Sequence, residues 1–90
     1  MGHLNRDNSK LITRLRRIKG QVEAVERALE ADANCAEVLR QIASIRGAMT
    51  GLTNEVFEEH LRSHIVDAPD GAAREEGAEE MIRILRSYLK

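Results

Sequence analysis

Two histidines, His60 and His64, stand four residues apart in this chain. On an α-helix that spacing puts both imidazoles on one face, one turn apart, where they can chelate a single ion. The neighbouring residues argue against two enzyme readings. Leu61 sits where a His-Glu-x-x-His metalloprotease needs its general-base Glu, and Phe57 and Leu61 fill the positions that are acidic in the di-iron Glu-x-x-His pattern. The pair reads as a binding element, and a non-enzyme is expected.

Cys35 is the only cysteine, so no disulfide can form within the chain. Placed in the first turn of a helix, it meets free backbone N–H groups that favour a thiolate, the metal-binding form. Cys35 and His60 are 25 residues apart, about 37 Å along one helix, too far to share an ion within a chain. An antiparallel two-fold dimer with its axis near residues 47–50 removes the obstacle, because Cys35 of one copy then lies beside residues 60–64 of the other. Gly47, Ala48 and Gly51, all small, fall at that crossing. A helical hairpin turning near residues 32–34 also returns the N-terminal arm, with His3, toward His60 and His64 of its own chain. Three imidazoles and one thiolate suit Ni(II), Co(II) or Zn(II), whereas Cu(I) favours more sulfur. Taken singly, each residue has a plainer reading: a solvated histidine, or a cysteine acting as a small buried hydrophobe.

The elements that must position these groups are helical. From residue 7 to 31 the apolar residues Leu11, Leu15, Ile18, Val22, Val25 and Leu29 recur at spacings of 4 and 3, and Val38, Ile42, Ile45, Met49, Leu52 and Val56 repeat the pattern within residues 35–65. Asp7, Asn8 and Ser9 offer N-cap oxygens to the first helix, and Asn34 with Glu37 resembles a capping box at the start of the second. Val66 to Gly71, with Pro69, reads as a turn. A shorter helix over 72–89 carries Ala78, Met81, Ile82, Leu85, Tyr88 and Leu89 on one face. The expected architecture is all-α: an N-terminal arm (1–6), two long helices in an antiparallel hairpin and a short third helix, forming a single domain over 1–90. Ninety residues cannot cover two such helices. A dimer forming a four-helix bundle is therefore expected.

Charge is segregated along the chain. The formal net charge of −1 argues against a nucleic-acid binder until it is divided: residues 1–19 hold six basic residues against Asp7 alone, +5, and the remainder carries −6. Arg6, Lys10, Arg14 and Arg17 share one flank of the first helix, with Arg16 and Lys19 on the other. Multiplied by oligomer symmetry, such a cluster can track DNA phosphates; its plainer reading is a solvated face. The long helices do not fit a helix-turn-helix. The start of the chain has no apolar signal region and no stretch approaches a membrane span, so a cytoplasmic protein without membrane attachment is expected.

The segments Thr13-Arg-Leu-Arg-Arg-Ile-Lys-Gly-Gln-Val22, Cys35, Gln41-Ile-Ala-Ser-Ile-Arg-Gly-Ala48, Glu55-Val-Phe-Glu-Glu-His-Leu61 and Arg86-Ser-Tyr-Leu-Lys90 together resemble the CsoR/RcnR family of bacterial metal-sensing and formaldehyde-sensing repressors. The resemblance covers nearly the whole chain. It implies antiparallel dimers pairing into tetramers and operator binding without a helix-turn-helix. His3, Cys35, His60 and His64 match the nickel/cobalt-sensing branch, and the resemblance suggests the Gly2 amine as a further ligand. Copper sensors place a second Cys where this chain has His64. Formaldehyde sensors pair a thiol like Cys35 with Pro at position 2, where this chain has Gly2. The implied function is a repressor that binds double-stranded operator DNA through Arg14 and Arg17, supported by Lys10 and Arg16, and releases it on binding Ni(II) or Co(II), freeing an exporter gene. Formaldehyde sensing through Cys35 and the N-terminal amine, or a structural helical module that pairs with a protein partner, are the alternatives.

Overall fold

The computed structural model describes residues 8–89, and among them every regular element is helical. Helix α1 spans Ser9–Glu30, α2 spans Cys35–Leu61, a π-helical turn occupies Arg62–Val66 and α3 spans Gly71–Tyr88. Two compact units result, which meet in sequence at residues 54 and 55.

In the first unit α1 and the first part of α2 form an antiparallel hairpin. Arg14 Nη1 donates to the Gly51 carbonyl at 3.4 Å and Gln21 Nε2 to Ser44 Oγ at 3.3 Å, so seven residues forward on α1 match seven back on α2. Asn8 N-caps α1 without a side-chain bond. At the second helix start the Asn34 Oδ1 atom accepts from the Glu37 N–H at 2.9 Å, one arm of the expected capping box. The Glu37 carboxylate instead meets Arg40 and Gln41. Between the helices, Ala33 N–H reaches the Ala28 carbonyl and Asp32 N–H the Leu29 carbonyl, with Asp32 in the left-handed region at φ 57°. This is a Schellman closure with Asp where glycine is usual.

Each apolar seam divides into two stripes. Leu11, Ile18 and Val25 are buried or half-buried against α2, as are Val38, Ile45 and Leu52 against α1. The alternate members stay open: Leu15, Val22 and Leu29 are 51%, 51% and 62% exposed, and Ile42 and Met49 are exposed too. Both open stripes are rotated the same way from the packed faces, and in antiparallel helices equal rotations lie on the same side of the pair. The hairpin thus carries one continuous apolar face. Gly51 is not on it; the Arg14 guanidinium packs over that glycine, 3.7 Å from where a Cβ would stand.

In the second unit the end of α2, the π turn and α3 pack together. The π turn closes with the Asp67 N–H on the Arg62 carbonyl at 2.9 Å, an i→i+5 bond. Arg74 Nε donates to the Ile65 carbonyl at 3.1 Å and ties α3 to this turn. Asp70 caps α3, its carboxylate accepting from the Ala73 N–H at 2.8 Å. Gly77 and Met81 are the buried residues of α3, and Phe57 meets Tyr88 edge to face at 5.4 Å. The wider face expected on this helix is narrower in a single chain, because Ile82, Leu85, Tyr88 and Leu89 remain exposed.

Candidate metal centre

His60 lies in the last turn of α2 and is buried, 8% exposed. Its Nε2 atom is 3.4 Å from the Gly77 carbonyl oxygen and 3.6 Å from Glu80 Oε1. Both neighbours are acceptors, so Nε2 is the nitrogen placed to donate, and in the neutral ring that arrangement leaves the Nδ1 lone pair for a metal. Such a hydrogen bond from the remote nitrogen is how metal-binding imidazoles are oriented.

His64 is half-buried in the π turn, not on a continuous α-helix as its spacing suggests. The widened turn keeps the pair together: the ring centroids of His60 and His64 are 4.8 Å apart with the planes inclined at 44°. Against His64 opens a cavity of about 180 Å³ lined by Ala73, Glu76, Gly77 and Glu80. Two imidazoles at this separation fit a borderline divalent ion. Among the described residues no three His, Cys, Asp or Glu side chains converge on one point. The candidate ligands that come together among the described residues are therefore the two histidines alone.

Cys35 is the first residue of α2, in the other unit, with an exposed free thiol. His3 and Gly2 lie outside the described residues. Of the basic residues, Lys10, Arg16 and Arg17 are exposed on α1, whereas Arg14 is half-buried in the hairpin through its bond to Gly51. Sequence reasoning missed Glu80 and Gly77. Glu80 is one of four acidic residues within Glu75–Glu80, and nothing in that run distinguishes it. Gly77 left a faint signal, a poor helix former inside a helix.

The comparisons with known proteins agree on one family. A family model described as a metal-sensitive transcriptional repressor matches residues 7–87. The transcriptional repressor RcnR of Salmonella typhimurium is 47% identical over 90 residues, covering all of both chains. An uncharacterized protein from the bioA 5′ region of Serratia marcescens is 50% identical over 91 residues, again end to end. Among solved structures, a variant of the formaldehyde-responsive regulator FrmR from Salmonella enterica serovar Typhimurium superposes with a TM-score of 0.86 at 43% identity, covering 97% of this chain and 99% of that one. The copper-sensing repressor CsoR from Geobacillus thermodenitrificans, solved with Cu(I), shares the fold with a TM-score of 0.87 over 100% of this chain and 94% of its own, at 23% identity. No described helix is long and apolar enough to cross a membrane. Since the family model spans all three helices and the 47% identity to RcnR runs end to end, this chain belongs to the CsoR/RcnR family of metal-sensitive transcriptional repressors.

Proposed function

We propose that the metal-free protein, as a homodimer or tetramer, binds double-stranded operator DNA and releases it when Ni(II) or Co(II) is bound, with Zn(II) as a further ion the donors accept. The observation that carries this reading is the histidine pair: two imidazoles 4.8 Å apart, one of them held by its remote nitrogen. The ligand set is His60, His64 and His3 from one chain and Cys35 from its partner, with the Gly2 amine as a further donor. Cys35 has the accessibility that a shared site requires. The apolar face of Leu15, Val22, Ile42 and Met49 supports a second copy as the partner.

Lys10, Arg16 and Arg17 supply the exposed charge for phosphate contacts, with Arg14 at the edge of the same surface. The bound ion supplies the free-energy difference between two arrangements of the oligomer. His60 and His64 hold one end of that linkage and Cys35 the other. Metal and DNA must then oppose each other by equal factors. A cytoplasmic site of action follows from operator binding. Formaldehyde sensing through the exposed Cys35 thiol and the Gly2 amine is the second reading, favoured by that thiol's accessibility.

The test is titration of a complex with labelled operator DNA using Ni(II), Co(II), Zn(II), Cu(I) and formaldehyde. Release at the lowest free concentration by Ni(II) or Co(II) is expected. Release by formaldehyde alone transfers the function to the second reading, and indifference to every ion overturns the metal reading.

A further inference from the structure

We infer that Gly77 is a positioning residue for both histidines, the residue of α3 that touches the ring of one and the backbone of the other. The inference rests on the reading of His60 and His64 as ligands. It goes beyond that reading by naming what holds them in register.

Gly77 is buried where α3 crosses the π turn. A Cβ built there would overlap the His64 carbonyl oxygen and fall 3.0 Å from both the His64 carbonyl carbon and the His64 Cβ. The obstructing atoms are mostly backbone, so no side-chain rotation relieves the overlap. Glycine is intrinsically unfavourable inside a helix, and close approach of another backbone is a physical reason to have it there. By contrast, a Cβ on Gly20 or Gly47 would meet nothing within 4 Å. The same residue touches the other histidine through its carbonyl oxygen, which accepts from His60 Nε2 at 3.4 Å.

One residue of α3 therefore fixes the ring of His60 by a hydrogen bond and the backbone of His64 by contact. The two rings sit on elements of different pitch, one on α2 and one in the π turn, so their separation is not set by a regular helix. Any side chain at position 77 pushes the π turn and α3 apart. That shifts His64 relative to His60 and lengthens the bond to the His60 ring. Ligand sets tolerate displacements of only roughly 0.5 Å before affinity suffers.

The test compares Gly77→Ala with Gly20→Ala. Metal affinity and the Co(II) absorption spectrum are measured for each, together with ring-nitrogen chemical shifts of His60 and His64 in the metal-free protein. For Gly77→Ala the expected results are about a tenfold or larger loss of Ni(II) and Co(II) affinity, an altered ligand-field spectrum, and loss of the single Nε2–H signature of His60. Gly20→Ala should match the wild type in all three. Unchanged metal affinity and unchanged His60 shifts in a folded Gly77→Ala protein overturn the inference. Should that variant not fold, the wild type decides: Overhauser contacts between the Gly77 α-protons and the His64 β-protons, with an Nε2–H tautomer at His60, support it. Absence of those contacts or the opposite tautomer overturns it. Failure of the underlying reading looks different, because His60→Leu and His64→Leu would then retain wild-type metal affinity.

Discussion

The Nε2 atom of His60 stands 3.6 Å from the Glu80 Oε1 atom, a buried imidazole facing a carboxylate carried by another helix. A carboxylate on the remote nitrogen makes the other nitrogen a better donor and holds the ring plane. Glu80→Gln keeps the shape and removes the charge. Metal affinity should fall about tenfold, measured by competition with a chromophoric chelator. A variant that binds as tightly as the wild type would leave Glu80 without a part in the centre.

Arg14 and Arg17 lie on one flank but are not equivalent. Arg17→Ala should weaken operator binding evenly across sequences and reduce the slope of log affinity against log salt by about 1 for each phosphate that is no longer neutralised. Its stability should stay within about 0.5 kcal/mol of the wild type. Arg14→Ala also removes the bond to the Gly51 carbonyl, so it should lower stability by about 1 kcal/mol. Gel shifts across a salt series and urea melts on the same proteins separate the two effects. Full operator affinity in the double variant would sink the phosphate-binding assignment.

The open stripes predict assembly. Val22→Glu combined with Met49→Glu places charges on the face that Leu15, Val22, Ile42 and Met49 leave uncovered. Sedimentation should move from an oligomer to a monomer. Since the proposed centre borrows Cys35 from a second copy, the thiolate charge-transfer band of the Co(II) protein should vanish with it, as it should in Cys35→Ala. A monomeric variant that keeps the band would show that the site does not need two chains.

Asp32 holds a left-handed conformation that glycine adopts freely. Its backbone N–H and that of Ala33 already satisfy the end of α1, so the bonds survive substitution. Asp32→Gly should stabilise the hairpin by about 0.5–1 kcal/mol, read as a raised urea midpoint with an unchanged slope. A lowered midpoint would indicate that the Asp32 side chain contributes more than its backbone strain costs.

Much of this architecture is legible from local chemistry. The 3–4 spacing of apolar residues marks both long helices, Asn34 and Glu37 mark the second start, and the four-residue step from His60 to His64 marks two neighbouring imidazoles. What periodicity cannot say is which side of a seam meets the chain's own neighbour. Leu11 and Leu15 look alike in sequence, yet one packs on α2 and the other is open, a distinction that only the second helix creates. The π turn at Arg62–Val66 is likewise a product of packing, since no residue type requires an i→i+5 bond and its tie to Arg74 comes from another helix. Glu80 and Gly77 acquire meaning only once α3 is laid against the end of α2.

The uncovered face of the hairpin has a consequence for abundance. A folded chain that exposes Leu15, Val22 and Met49 gains its partner by mass action, and anything that forms only in the associated state is governed by how many copies are present. For a centre shared between two copies, as proposed, halving the number of molecules in a cell would remove more than half of the complete centres once the total nears the association midpoint. The metal concentration at which the cell responds would then shift with the expression of the protein itself, and gene dosage would set its threshold alongside coordination chemistry.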